Sequence, residues 1–254
     1  MRKKLKEFVE KRLPEFHQSR IASLESLKLV QVLERKNPYL FRAKNSGRAD
    51  ELVGDVLDAF LSSKEETVFG SVLESIAIEA CRLAYGGRKS SAEGIDLEFE
   101  TAGVLHIVSI KSGSKWGNSQ QIKRMRDNFK QAKRILGTNT SGKKVVAING
   151  CCYGREGNPD KGDYLKLCGE AFWTHISGDS SLYVELIEPI GHQAKQRNEA
   201  FGVEYDKVRN RFTKEFMERF CAKDGGINWP LVVELSSAAI KPKSPKPSAA
   251  KTLA

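Results

Sequence analysis

Between Glu93 and Gly113 the chain reads EGIDLEFETAGVLHIVSIKSG, two runs in which apolar and polar positions alternate. In the first, Ile95, Leu97 and Phe99 alternate with Asp96, Glu98 and Glu100. In the second, His106, Val108 and Ile110 alternate with Ile107, Ser109 and Lys111. Successive strand side chains face opposite sides, so the pattern predicts a hairpin that turns at Thr101-Ala102-Gly103 and brings Asp96 and Lys111 together at one end. Upstream, helical periodicity covers residues 3–12 and 15–36, ending near Asn37-Pro38, and then 49–61. A long helix should start at Ser62 or Ser63, carry Glu65 and Glu66 in its first turn, and stop at Gly86-Gly87.

Downstream, the loop SGSKWGNS leads to a helix, SQQIKRMRDNFKQAKRILG, and to a buried strand, KKVVAING. A short helix is expected around DYLKLCGEAFWTHISG, then a strand, SLYVELIEPIG, and an amphipathic helix near residues 194–221. The core order α-β-β-α-β-(α)-β describes an α/β protein with a mixed sheet flanked by helices. Three regions are expected: N-terminal helices over 1–66, a core with its C-terminal helix over 67–236, and a basic tail over 237–254.

Composition narrows the class. At 254 residues, with 40% hydrophobic and 29% charged residues, the chain can bury a full core. No run approaches the ~20 apolar residues of a membrane span, and MRKKLKEFVEKRL lacks the apolar stretch of a secretory signal. Five cysteines without CxxC spacing suggest free thiols in a reducing cytoplasm. The net charge is +10, of which the Pro- and Ser-rich stretch 241–254 supplies four lysines and no acid, leaving +6 elsewhere (10 − 4). That stretch is expected to be disordered.

Position of charge says more than its sum. From Lys111 to Arg134 there are eight basic residues and one acid, Asp127. Met125, Phe129, Ala132 and Ile135 can face the core, which leaves the bases to solvent. A solvated helix face ordinarily mixes signs for i,i+4 pairing, and this one barely does, so nucleic-acid contact is the favoured reading. Lys115, Asn118, Ser119, Lys123, Arg126 and Lys130 are the candidates for phosphate or base contacts. Trp116 sits in a polar, Gly-rich loop where burial is not expected, with DNA contact as the minor reading. His106 is expected to be packed and hydrogen-bonded, and Phe172-Trp173 to anchor a helix in the core.

Carboxylates and a lysine beside a basic helix suit metal-assisted phosphodiester hydrolysis. Carboxylates bind Mg²⁺ through oxygen, a bound Mg²⁺ polarises phosphate and activates water, and a lysine can stabilise the pentavalent anion.

A helix bearing Glu74, then Asp96, then Ser109-Ile110-Lys111 with the lysine fifteen residues beyond Asp96, resembles the PD-(D/E)XK nuclease superfamily and, more narrowly, a type II restriction endonuclease. NPYLFRAKN, ETVFGSVLESIAIEA, VSIKSG with WGNSQQIKRMRDNFKQAKR, and LCGEAFWTHISGD extend the likeness over about residues 30–190. The resemblance implies a restriction-endonuclease-like fold, with Asp96, Lys111, Glu74 and Ser109 at the catalytic site and Asp96 and Glu74 as metal ligands. It also implies Mg²⁺, double-stranded DNA cut at a short site, a homodimer and a companion DNA methyltransferase. Two positions depart: Ile95 stands where Pro is frequent, and Ser109 where a second acid is expected. Glu74, Glu79, Glu98, Glu100 and Asp127 could replace that acid. Glu79 has Arg82 at i+3, whereas Glu74 has no charged neighbour at i±3 or i±4, which favours Glu74. Rival readings are a DNA-binding module that lost metal through Ser109, an RNA-associated basic protein, and a repair nuclease without sequence preference.

Overall fold

The computed structural model of the protein describes residues 2–139 and 143–239; the expected basic tail lies almost entirely outside them. Among the described residues, α1 spans Arg2–Glu25, α2 Leu29–Glu34, α3 Pro38–Ala43 and α4 Ala49–Tyr85. The sheet then begins with β1 (Arg88–Lys89), β2 (Leu97–Thr101) and β3 (Val104–Gly113). Helix α5 (Ser119–Asn139) crosses to β4 (Lys144–Tyr153), followed by β5 (Leu165–Cys168), α6 (Glu170–Ser177), α7 (Leu182–Glu185), α8 (Ile187–Ile190), α9 (Ala194–Phe220) and α10 (Trp229–Ser237). The strand order is β1-β2-β3-β4-β5, antiparallel through β3 and parallel from β3 to β5. This is the mixed sheet flanked by helices that the hydrophobic pattern indicates.

Two units divide the chain. One comprises Met1–Ser23 and Ser63–Glu204, the other Leu24–Ser62 and Tyr205–Ala254. The first holds the sheet. On one sheet face Leu97, Phe99, Val108, Ile110 and Ile148 pack with Leu5, Val9 and Leu13 of α1, with Val72, Ile76 and Ala80 of α4, and with Phe172, Trp173 and Ile176 of α6. On the other, Leu105, Ile107 and Ala147 pack with Met125, Phe129 and Ala132 of α5. Odd and even residues of β3 thus go to different layers, as strand geometry requires. Gly150 lies directly under the Phe172 ring, where any Cβ would collide with it. In the second unit, Val208, Phe212, Phe216 and Phe220 recur at four-residue spacing on α9 and are buried. There Tyr205 donates to Asp58 at 2.6 Å, and Arg209 donates to the Asp50 carbonyl at 3.2 Å.

The hairpin turns where the sequence indicates: Thr101 pairs with Val104, and Ala102 and Gly103 both take positive φ, 49° and 74°. Several expectations change. Helix α1 runs through Pro14 rather than breaking before it. Residues 49–61 and the helix after them form one 37-residue helix, so Ser62 and Ser63 cap nothing; the Ser63 carbonyl instead accepts from the Thr67 hydroxyl at 3.1 Å. SLYVELIEPIG forms two short helices rather than a strand, because Leu182, Leu186 and Ile190, four apart, reach the same core. DYLKLC supplies strand β5 ahead of α6. On α5, Ile135 is exposed and Leu136 packs inward in its place.

His106 is packed but not satisfied. Its ring stacks on Phe99 at 4.7 Å and meets His175 edge-on at 4.9 Å, while His106 Nδ1 and His175 Nε2 have no hydrogen-bond partner among the described residues. Burial first, and the neighbouring His175 second, push the His106 pKa down to about 4 from 6.5; burial also lowers that of His175. An unfolded chain therefore takes up protons that the fold refuses, so the stability from this pair is complete above about pH 6.5 and drains away toward pH 4. Replacing His106 with Phe should flatten the decline of melting temperature between pH 7 and pH 4.5, measured by thermal unfolding. An equally steep decline would exclude this pair as its source.

Candidate functional site

The site is built where β2 begins and β3 ends. Asp96 is the residue before β2, and its placement differs from strict alternation. Ile95 closes a turn by donating to the Ala92 carbonyl at 3.1 Å and packs in the α5-side core, while Leu97 packs on the opposite face. Asp96 sits at that switch. Its backbone N–H donates to the Val108 carbonyl at 2.8 Å, and its Oδ2 accepts from the Ile110 N–H at 2.6 Å. The carboxylate is thereby fixed against β3 by a charge-assisted hydrogen bond.

Lys111 extends from the last part of β3, in register with Cys151 of β4. Glu74 comes from the third quarter of α4, half-buried, and no hydrogen bond or ion pair engages its carboxyl among the described residues. Its pKa is raised, first by burial and next by the negative charge of Asp96, with Lys89 and Lys111 opposing. Glu74 also acts on Cys152: burial chiefly, and the Glu74 charge after it, push that thiol up to about 12. Glu74, Asp96 and Lys111 therefore share one electrostatic neighbourhood. Glu79 does not join it; both of its oxygens accept from Arg82 at 2.7 Å. Glu98 lies at 3.5 Å from Arg88, and Glu100 pairs with Lys143 at 2.8 Å. Of Glu74, Glu79, Glu98 and Glu100, Glu74 is the one without a described ion pair whose carboxyl feels the Asp96 charge.

Ser109 is 2% exposed. It offers a hydroxyl and no charge, on the same side of β3 as Lys111. Among the described residues no group of three or more His, Cys, Asp or Glu is gathered closely enough to hold a metal. Two carboxylates nevertheless fit Mg²⁺, which is bound through one or two protein carboxylates and otherwise by water and substrate phosphate. Among the described residues no cation stands at ion-pair distance from Glu74.

A cleft of about 1110 Å³ opens beside the group, with Ser109, Lys111 and Lys115 on its wall. Gly70, one turn before Glu74, and Gly94, just before Asp96, also line it. Gly94 takes φ +71° and packs on Asn128 of α5, so only glycine fits between them. Trp116 departs from expectation. It is half-buried, its Nε1 donates to Asn149 Oδ1 at 3.0 Å, and the Lys111 ammonium stands 5.2 Å from its ring centroid. Asn149 is 1% exposed and donates in turn to the Ser109 carbonyl at 3.3 Å. Asn149 escapes sequence reasoning, because an asparagine inside an apolar run reads as strand filler until its neighbours are known.

The basic helix is less uniform than its sequence. Asn118 caps α5, its Oδ1 accepting from the Gln120 and Gln121 N–H groups at 3.1 and 3.0 Å, while Gln121 Oε1 accepts from the Asn118 N–H at 2.9 Å. Ser119 opens the helix and is exposed. Arg126 pairs with Asp163 at 2.8 Å and Arg124 with Glu93 at 3.1 Å. The missing acids thus come from other segments. Lys123 and Lys130 are exposed, and neither makes a described hydrogen bond or ion pair.

A mixed five-stranded sheet between helical layers, with two carboxylates and a lysine gathered at the end of its hairpin, is a restriction-endonuclease-like α/β fold. The family model described as type II restriction endonuclease EcoO109I matches residues 3–198, and the chain belongs to that family. No curated protein matches the chain. No helix among the described residues is long and apolar enough to cross a membrane.

The electrostatics of Glu74 make a test that needs no substrate. A carboxyl whose folded pKa is raised contributes most below its ordinary range and loses that contribution as pH rises through the folded value. Glu74→Gln should therefore melt higher than the wild type at pH 7.5 without divalent ions, with the gain vanishing by pH 4. Added Mn²⁺ should raise the melting temperature of the wild type but not of Glu74→Gln. A variant less stable than the wild type at pH 7.5 would contradict the described surroundings of Glu74.

Proposed function

We propose that the protein is a Mg²⁺-dependent type II restriction endonuclease that hydrolyses phosphodiester bonds of double-stranded DNA at a short specific site. In this reading the site is of the PD-(D/E)XK kind, with Glu74 replacing the acid absent at Ser109. The observation that carries it is the charge that Asp96 and Lys111 exert on half-buried Glu74, with Lys111 on the cleft wall, within a chain of this family. A two-fold dimer reading a two-fold site follows from the class, as do a cytoplasmic setting and a companion methyltransferase.

Asp96 and Glu74 would hold the cation, which when bound polarises the scissile phosphate and lowers the pKa of its water. The rest is work of the chain. The Ile110 N–H holds Asp96 in place through Oδ2, and among the described residues no group hydrogen-bonds to Oδ1. Burial and the Asp96 charge hold Glu74 toward its neutral form, and a bound cation would reverse that preference. Lys111 supplies positive charge where the phosphorane gains negative charge. Lys115, Lys123 and Lys130, with the α5 entrance at Asn118 and Ser119, would hold the strands by phosphate and base-edge contacts.

One observation favours a second reading, a DNA-binding module without hydrolysis: no third metal-ligating side chain joins the two acids among the described residues. Supercoiled plasmid incubated with Mg²⁺ separates the two. Asp96→Ala and Lys111→Ala should each lower cleavage by at least a hundredfold while leaving DNA affinity in Ca²⁺ within about threefold. Glu74→Ala should cost far more activity than Ser109→Ala. Equal cutting by Glu74→Ala and the wild type would remove Glu74 from the metal site, and intact plasmid with the wild type would leave the binding module.

The ion pairs refine what the basic helix should do. Each lost phosphate contact reduces the slope of log K against log[salt] by about 0.9. Lys123→Gln with Lys130→Gln should lower it by nearly 2, about twice that amount. Adding Arg126→Gln should change it by less than one contact's worth, because Asp163 already neutralises that guanidinium. Titrations in Ca²⁺ across a salt series measure this; an unchanged slope in the double variant would move the DNA-facing surface elsewhere.

A further inference from the structure

We propose that Trp116, anchored by Asn149, is a positioning residue that holds the Lys111 ammonium for the cleavage step; this rests on the reading of Lys111 given above. Lys111 carries its charge on a flexible four-carbon stem. Among the described residues no group hydrogen-bonds or ion-pairs with that ammonium. What faces it is the Trp116 ring, 5.2 Å from Nζ to the centroid, within the range at which an indole face attracts a cation.

The ring is itself held. A tryptophan serving only as a loop contact for DNA would leave its N–H outward; here the N–H turns inward to Asn149 Oδ1 at 3.0 Å. Asn149 stands in register with Ser109 on the neighbouring parallel strand and donates to the Ser109 carbonyl at 3.3 Å, two residues before Lys111. A buried amide must satisfy its polar atoms, and this one does so by tying the loop ring to the sheet. The links run from β3 to β4, from β4 to the loop, and from the loop back to the end of β3. The direction of the Lys111 stem is therefore set by the sheet.

Trp116→Leu keeps apolar bulk and removes the ring face; Trp116→Phe keeps a ring and removes the N–H. On a linear duplex carrying a cut site mapped by digestion, Trp116→Leu should lower kcat at least tenfold, with Kd in Ca²⁺ changed by less than twofold. Trp116→Phe should recover part of that loss. In the residual single-turnover activity of Lys111→Gln, adding Trp116→Leu should cost nothing further, as expected of two residues acting as one. A readout without turnover is reductive ¹³C-methylation. The Lys111 methyl signal, assigned by its absence in Lys111→Gln, should lie upfield of the other lysines from the ring current, and should join them in Trp116→Leu.

Wild-type kcat in Trp116→Leu, a loss expressed in Kd, or a loss fully additive with Lys111→Gln would each overturn the proposal. So would a Lys111 methyl signal at the common position in the unaltered protein, which keeps the test open should Trp116→Leu fold poorly. Wild-type cutting by Lys111→Gln would instead overturn the reading of Lys111, while the methyl shift still reports on the contact.

Discussion

The period-two geometry of β3 is the constraint from which the rest follows. A strand buried on both faces sends alternate residues into separate cores. His106, Val108 and Ile110 belong to the layer of α4 and α6, while Leu105 and Ile107 belong to that of α5. Only at its end, where β2 has not yet begun, does the strand reach residues of both layers at once. There Glu74, from the helix on one face, feels the charge of Lys111, which shares the parity of the α5 face. A one-residue slip of the hairpin would exchange the two sets and put Lys111 into the aliphatic core. The turn at Ala102-Gly103, both with positive φ, is what guards against that slip.

Charge in the site is arranged by giving some groups partners and withholding them from others. Glu79, Glu98 and Glu100 each have an arginine or lysine, so their carboxylates are neutralised locally. Glu74 has none at ion-pair distance among the described residues, and it is half-buried within reach of the Asp96 charge. Such a group is costly when ionised and is relieved by a cation. The same logic divides α5, where Asp163 and Glu93 occupy Arg126 and Arg124 while Lys123 and Lys130 make no described hydrogen bond or ion pair.

What the sequence disclosed and what it hid have physical reasons. The hairpin, the parity of Lys111 on β3, and the pairing of Glu79 with Arg82 were legible because each depends on local spacing: a two-residue turn, strand alternation, an arginine at i+3. The continuity of α4 was hidden because Ser62-Ser63 carries the signature of a helix start, yet both residues lie exposed inside a 37-residue helix. SLYVELIEPIG passed for a strand because its short apolar run fits both periods, and the core contacts of Leu182, Leu186 and Ile190 decide between them. Trp116 and Asn149 were opaque for a deeper reason: their pairing joins positions 33 residues apart, and nothing local announces it.

One consequence of the way Asp96 is held concerns spectroscopy. Strand β2 starts at Leu97, so the Ile110 amide has a carboxylate oxygen as its acceptor rather than a strand carbonyl. The Ile110 nitrogen lies 2.6 Å from that oxygen, so its proton is more deshielded by a charged carboxylate than by a neutral one. A single backbone resonance, in a segment buried deeply enough to exchange slowly, thus serves as a native reporter of the charge on Asp96, free of any label near the site.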